Sequence, residues 1–192
     1  MLDLKFFKKL KEDYASYNVG RKIIIGKSND VLKYSKQAIF ALHRGELESA
    51  DAVLKEAEKL IEYLLGEVIK KDKQLEHEGA FKAGLEEYAE ARLFYNYLKN
   101  HEIGEIKEAK LTVDAYLGGL SDLSGEIVRY AVKMATKRNY EEVEVCRNAV
   151  EQLIAEMIQM DIVGNFRTKY DQAKNNLRKL EEILYDIEIR KK

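Results

Sequence analysis

Proline is absent from the chain, and cysteine and histidine are scarce. Without proline among its 192 residues, the chain lacks the residue that interrupts helices most strongly. The single cysteine, Cys146, excludes an intramolecular disulfide and a thiolate metal site built within one chain. The three histidines, His43, His77 and His101, are widely spaced and form no HExxH motif, which excludes the zinc site that this motif builds.

Long apolar runs, glycine-rich or serine-rich linkers and internal repeats are also missing. No run of 18 apolar residues occurs, so no transmembrane helix is expected. The first residues, MLDLKFFKKLKEDY, lack the uninterrupted apolar core of a signal peptide, and a cytoplasmic location is expected. We therefore predict one domain over residues 1–192. The net charge of −1 argues against a strongly basic nucleic-acid binder but leaves room for a local basic face.

Apolar residues recur every three or four positions along most of the chain, which is typical of amphipathic helices. This pattern predicts an all-α protein with six or seven helices joined by short turns. The expected helices cover about 21–44, 47–68, 75–100, 112–138, 140–160 and 166–189. In the last of them apolar residues step 4-3-4-3, a coiled-coil-like seam that we expect to pack against neighbouring helices, including those of another subunit. The seam consists of Ala173, Leu177, Leu180, Leu184 and Ile187.

The stretch EEYAEARLFY, residues 86–95, places carboxylates on a helix that is otherwise apolar nearly all round. Such a helix is expected to be buried on more than one side. Glu87 and Glu90 are three residues apart and can point at one locus. Two close carboxylates repel each other and lose hydration, and a hard divalent cation such as Mg²⁺ resolves both problems. The alternative from spacing alone is an ion pair with Arg92 or with a neighbouring helix.

Four segments, in order along the chain, resemble the translin family, particularly its translin-associated factor X (TRAX) members. These segments run from about residue 20 to residue 190. They are SNDVLKYSKQAIFALHR (28–44), GLEEYAEARLFYNYLK (84–99), YLGGLSDLSGEIVRYAV (116–132) and RTKYDQAKNNLRKLEEILYDIEIR (167–190). The resemblance implies an all-helical protomer of the translin type that assembles into a closed homo-oligomeric shell, an octamer.

The same resemblance implies a nucleic-acid partner and, for TRAX-type subunits, RNA cleavage with a divalent metal held by acidic residues. Two of the family's acids carry over to Glu87 and Glu90. An ungapped alignment puts the third at Ala155, and a shift of one residue makes Glu156 the predicted third ligand. Glu151, Glu126 and Asp122 are the alternatives. Glu126 matches a glutamate shared by catalytic and non-catalytic members, which favours a structural role for it.

Basic residues line one side of the first predicted helix. They lie within about 80° of one another at 100° per residue, and are Lys22, Lys33, Lys36 and Arg44. The stripe is either an ordinary solvated face or a surface that contacts phosphates inside a shell.

The sequence thus predicts a TRAX-like endoribonuclease that binds and cleaves single-stranded or small structured RNA with Mg²⁺ or Mn²⁺. Glu87, Glu90 and Glu156 are the expected catalytic and metal-binding residues. The first alternative is a non-catalytic, translin-like homo-oligomer that binds single-stranded RNA or DNA. The second is a helical scaffold with no role in nucleic-acid binding. A third carboxylate beside Glu87 and Glu90 separates the first two hypotheses, and salt-dependent RNA binding separates both from the scaffold.

Overall fold

Six α-helices and no β-strand occur in residues 1–190, the part of the chain that the computed structural model describes. The all-α prediction is therefore confirmed. One domain over residues 1–192 stays a prediction, and its last two residues lie outside the described part. The helices are α1 (Leu4–Arg44), α2 (Leu47–Tyr63), α3 (Gly79–Asn100), α4 (Val113–Thr136), α5 (Tyr140–Ile158) and α6 (Asn165–Arg190). A π-helical segment (Leu64–Ile69) and a 3₁₀ turn (Lys73–His77) connect α2 to α3.

The first helix is much longer than predicted. It begins at Leu4 because the Asp3 carboxylate caps it, accepting hydrogen bonds from the backbone N–H groups of Lys5 and Phe6. It ends at Gly45, whose φ of 85° is the left-handed conformation that glycine adopts without steric cost. The predicted start near residue 21 was wrong because residues 1–16 are all exposed. They have no buried stripe whose period would reveal a core-facing helix.

Helix α3 lies at the centre of the bundle and packs against α1, α2 and α4. Its buried residues surround the helix axis, which confirms that it is covered on more than one side. Helix α6 packs against α4 and α5, and Ala173 and Leu180 of its apolar seam are fully buried. The seam therefore packs within the protomer as expected, and its contact with another subunit stays a prediction.

Two adjacent glycines bring α4 unusually close to α3. A Cβ atom on Gly119 would lie 2.7 Å from the Ala89 Cβ and 2.8 Å from the Glu90 nitrogen. A Cβ on Gly118 would collide with the Glu86 carboxylate. Because neither glycine has a side chain, the first half of α4 can lie directly on the turn of α3 that carries the acidic residues.

None of the helices in the described residues contains an apolar stretch long enough to span a bilayer.

Candidate active site

A small cavity of about 210 Å³ lies where α1, α3 and α4 meet. It brings together the two predicted carboxylates of α3 and a third carboxylate from α4, with basic and apolar residues around them. The lining residues are Lys36, Ile39, Phe40, Glu87, Glu90, Glu126 and Arg129. The i, i+3 spacing of Glu87 and Glu90 therefore does point both side chains at one locus.

Burial makes these two carboxylates hard to ionise. Glu90 is only 9% exposed. Burial, reinforced by the negative charges of Glu87, Asp122 and Glu126, raises its pKa to about 8. The pKa of Glu87 is also raised, mainly by burial, although the Lys36 ammonium opposes this shift. Neither carboxylate forms a hydrogen bond or ion pair with any side chain of residues 1–190.

Two further acids of α4 approach the pair, and each has a partner. The Lys169 ammonium of α6 donates hydrogen bonds to Asp122 and, over 2.8 Å, to Glu86. The His43 Nε2 atom, at the end of α1, contacts a Glu126 carboxylate oxygen. Helices α3 and α4 thus contribute five carboxyl groups to one acidic cluster, which we define as Glu86, Glu87, Glu90, Asp122 and Glu126.

The ligands of a metal site are not fully assembled in this conformation. No group of three or more Asp, Glu, His or Cys side chains within the described chain is already close enough together to hold a metal ion. Lys169 holds Asp122, and His43 holds Glu126. A cation bound by Glu87 and Glu90 would therefore gain its next protein ligand by a change of partner at Asp122 or Glu126.

Glu156 lies elsewhere in the protomer. It lines a larger cavity of about 850 Å³ between α4, α5 and residues 101–105. The main causes of the raised pKa values of Glu87 and Glu90 are burial and other nearby charges. The structure does not bring Glu156 to the acidic cluster, because this residue belongs to α5, which packs mainly against α4 and α6. The role of Glu156 as a ligand stays a prediction, which the geometry of one protomer does not favour.

The alternative that Arg92 neutralises the α3 carboxylates is wrong. The Arg92 guanidinium pairs with Glu58, and over 3.3 Å with Asp51, both on α2. Five residues separate Glu87 from Arg92, which turns their side chains about 140° apart on the helix. They face different neighbouring helices, so the expected pair cannot form.

The basic stripe of α1 is only partly brought together. Lys33, Lys36 and Arg44 line a groove of about 670 Å³ between α1 and α2. Arg44 stacks on the Phe40 ring at 4.8 Å and pairs with Glu46. Lys22 is exposed but does not line this groove, because 14 residues of helix place it about 21 Å from Lys36.

The sequence contains a local signal for the acids Asp122 and Glu126 of α4, but none for their partner Lys169. Asp122 and Glu126 are four residues apart on α4 and share a helix face, the same kind of signal that identified Glu87 and Glu90. Lys169 lies 47 residues from Asp122 and 83 from Glu86 in sequence. No local pattern predicts such a contact, because it depends on how α6 packs against α4.

Comparison with known proteins agrees with this architecture. The sequence profile of the Translin family matches residues 20–191. The crystal structure of apo-NeC3PO shares 28% sequence identity with a TM-score of 0.86, covering 96% of this chain and 97% of that chain. The crystal structure of AfC3PO superposes with a TM-score of 0.87 at 18% sequence identity. The structure of the AfC3PO complex with duplex RNA superposes with a TM-score of 0.84 at 19% identity. Both matches cover 96% of this chain and 97% of the AfC3PO chain.

No curated protein sequence matches the chain. The profile nevertheless spans nearly the whole chain, from the middle of α1 to the end of α6. The resemblance found in the four sequence segments is thereby confirmed. The fold is that of the C3PO structures, and the chain belongs to the Translin family.

Proposed function

We propose that this protein is a divalent-metal-dependent endoribonuclease acting on single-stranded or small structured RNA. The observation that carries the proposal is the junction of two cavities. Lys36 and Phe40 line both the acidic cavity with Glu87, Glu90 and Glu126 and the basic groove with Lys33 and Arg44. A polyanion held by the basic groove would therefore pass directly beside Glu87 and Glu90, two carboxyl groups that form no ion pair with the side chains that the structure describes.

The chemistry of the acidic cluster fits Mg²⁺ or Mn²⁺. Its donors are carboxylate oxygens, which hard divalent cations prefer. Glu87 and Glu90 would hold the cation, and Asp122 or Glu126 would complete the protein ligands. Asp122 would first release Lys169, or Glu126 would release His43 and Arg129. When bound, the cation supplies Lewis-acid polarisation of a phosphodiester. The same charge removes the cost of ionising two buried carboxylates, so binding it stabilises the folded chain.

The chain's own residues would position the RNA. Lys33 and Arg44 would bind phosphates in the groove, as point charges and through the planar guanidinium respectively. Lys36 and Arg129 line the acidic cavity and would hold the phosphate next to the scissile bond. The Phe40 ring is exposed at the junction and offers a stacking surface for a base. In the hydrolysis, the water oxygen loses a proton and bonds to phosphorus, while the bond to the leaving oxygen breaks and that oxygen takes up a proton.

RNA as the ligand is also supported by the AfC3PO complex with duplex RNA. The resemblance to translin and TRAX supports a closed homo-oligomeric shell, and we propose an octamer with single-stranded RNA as the partner and single-stranded DNA as a second ligand. A non-catalytic RNA-binding or DNA-binding oligomer is the other candidate. The observation that favours it is the absence, in residues 1–190, of three ligands already assembled around one point.

Cleavage of a labelled single-stranded RNA with Mg²⁺ or Mn²⁺, beside an EDTA control, tests the proposal. We expect Glu87→Gln and Glu90→Gln to abolish cleavage while RNA binding persists, because glutamine keeps the volume but removes the charge that the metal requires. Asp122→Asn and Glu126→Gln report which α4 acid completes the site. Glu156→Gln is the matched control, with cleavage expected at the parent rate.

Two results would contradict the endoribonuclease assignment. One is cleavage by the parent that persists undiminished in EDTA. The other is cleavage by both α3 variants at the parent rate. RNA binding without cleavage in any metal would establish the non-catalytic alternative. Loss of cleavage in Glu156→Gln together with the two α3 variants would restore Glu156 as the third ligand.

A further inference from the structure

The first four turns of α1 form a projecting arm, which we define as residues 4–16. All of these residues are exposed. The helix meets the rest of the bundle at Tyr17, which donates a hydrogen bond to Glu78 over 3.1 Å. At 1.5 Å per residue the arm extends about 20 Å beyond that contact. All of it precedes residues 20–191, which match the Translin family profile.

The arm is amphipathic although it has nothing to pack against in its own protomer. Phe6, Phe7, Leu10 and Tyr14 fall within about 100° of arc at 100° per residue, and all four are exposed. Lys9 and Lys11 flank this apolar stripe on its two sides. The arm has four lysines against two acids. A solvated helix gains nothing from four large apolar side chains on one side, so the stripe indicates a contact with another surface.

The cavity between α4, α5 and residues 101–105 is complementary to the arm in both polarity and charge. Its wall is apolar and includes Ile103, Leu120, Leu153, Met157 and Met160, and three carboxylates stand among its lining residues, Glu102, Glu105 and Glu156. Lysine and arginine do not occur among the lining residues in the described chain. We define this cavity as the acidic-rimmed groove. With about 850 Å³ it can accept several large side chains.

The arm cannot reach the groove of its own chain. It continues the axis of α1, which packs against α2 and α3, whereas the groove lies between α4, α5 and residues 101–105. Folding the arm back would require breaking a helix that has no proline or interruption between Leu4 and Arg44. An arm in this groove therefore comes from another molecule.

We propose that the N-terminal arm of one copy docks in the acidic-rimmed groove of a second copy. The apolar stripe enters the groove, and Lys9 and Lys11 approach Glu102, Glu105 and Glu156 at its rim. Apolar contact supplies the affinity and the opposite charges set the orientation. This contact uses neither the acidic cavity nor the basic groove, so it stands or falls independently of RNA cleavage.

Cross-linking between two single-site variants of the full chain tests the contact. Phe7→Cys places a thiol on the stripe, and Met160→Cys places one on the groove wall. Cys146 is fully buried and so does not compete. We expect the mixture, oxidised with copper–phenanthroline, to give a disulfide-linked dimer that neither variant gives alone. Phe7→Cys mixed with Tyr185→Cys, an exposed site on α6, is the matched control and should give no such band.

Charge reversal provides the second part of the test. Lys9→Glu with Lys11→Glu, introduced beside Phe7→Cys, should abolish cross-linking to Met160→Cys. Adding Glu102→Lys with Glu105→Lys to the groove partner should restore it. Equal yields with Met160→Cys and Tyr185→Cys, or no restoration by the double reversal, would overturn the proposal. Sedimentation with anionic lipid vesicles in place of cross-linking would also overturn it and assign the arm to a membrane surface.

Discussion

Helix α3 carries two groups of buried charge, one balanced and one not. On one side, Arg92 is 3% exposed and pairs with Glu58 and Asp51, while the Tyr88 hydroxyl donates to Glu58 over 2.8 Å. On another side, two residues earlier, Glu90 is 9% exposed and has no ion-pair partner among the described side chains.

The same helix therefore shows what burial of charge does with and without compensation. Removing a partner from the balanced group exposes the cost of an unpaired buried charge, which the intact group avoids. The unbalanced group already carries that cost in the metal-free protein. Strongly perturbed carboxyl groups cluster at functional sites, and under the proposed function a bound cation would relieve this arrangement. The first three predictions below compare the two groups, and the last concerns the adjoining groove.

The largest effect is expected from breaking the balanced group. Arg92→Met leaves Glu58 and Asp51 without their shared cation, and we expect a loss of about 3–5 kcal/mol in the free energy of unfolding. Urea denaturation measures it. Arg147→Met, which removes a half-exposed pair with Glu151, is the control and should cost less than about 1 kcal/mol. Similar losses in the two variants would show that the Arg92 group is no more than a surface ion pair.

The unbalanced group should respond in the opposite direction. A carboxyl whose pKa is raised from 4.5 to about 8 binds its proton more tightly in the folded chain than in the unfolded chain. Stability of the metal-free parent should therefore fall as pH rises from about 4.5 to about 8 and level off above that. Glu90→Gln removes the part of this dependence that Glu90 causes, so in EDTA the variant should be more stable than the parent by on the order of a few kcal/mol at pH 9.

Near pH 4.5 the Glu90→Gln variant should be as stable as the parent, because Glu90 is then protonated in the folded parent and, like glutamine, carries no charge. Thermal melts in EDTA across this range measure the difference. Glu144→Gln, an exposed position on α5, should leave the pH dependence intact. A Glu90→Gln variant that melts below the parent at pH 9 would show that the carboxylate is paired after all.

A smaller effect is expected at Lys169, which compensates part of the acidic cluster. Its pKa is raised because its hydrogen bonds to Asp122 and Glu86 outweigh the burial that opposes them. Lys169→Met should lower stability in EDTA by about 1–2 kcal/mol and strengthen Mn²⁺ binding, since Asp122 loses its competing partner. Calorimetric titration with Mn²⁺ measures the second effect.

Lys174→Met is the matched control on the same helix, because it removes only a half-exposed pair with Asp171 and a contact with the Tyr170 ring. It should change neither stability nor Mn²⁺ affinity appreciably. Weaker Mn²⁺ binding by Lys169→Met would show that the lysine orients Asp122 for the metal instead of competing with it.

The smallest effect concerns the basic groove beside the acidic cavity. Lys33→Ala with Lys36→Ala removes two expected phosphate contacts, which should flatten the dependence of log Kd on log salt concentration by about 1.4 for single-stranded RNA. Filter binding at several salt concentrations measures the slope. Lys22→Ala, outside the groove, should leave it unchanged. An equal change of slope in the double variant and in Lys22→Ala would show that the basic stripe of α1 is an ordinary solvated face.

The sequence predicted those features that depend on residue spacing within a single helix. The period of apolar residues predicted the helices after residue 20, and the three-residue spacing of Glu87 and Glu90 placed both at one locus. Prediction from sequence failed where the information lay between helices. The arm of α1 has no core-facing period because it has no core to face. Lys169 reaches Asp122 only through the packing of α6, and the acid opposite Glu90 is decided by which turn of α4 lies on α3.

The packing of α4 on α3 depends on Gly118 and Gly119, so a mutation of either glycine can alter the acidic cluster. A glycine codon becomes an alanine codon by one nucleotide change. At Gly119 the added methyl would press on the backbone of α3, and the bundle itself would have to shift. At Gly118 it would meet only the movable end of Glu86, displacing it from Lys169 while every acidic residue stays encoded. A lineage can therefore disturb this cluster in a single mutational step that leaves its carboxylates intact, and a paralogue's activity cannot be read from its acidic residues alone.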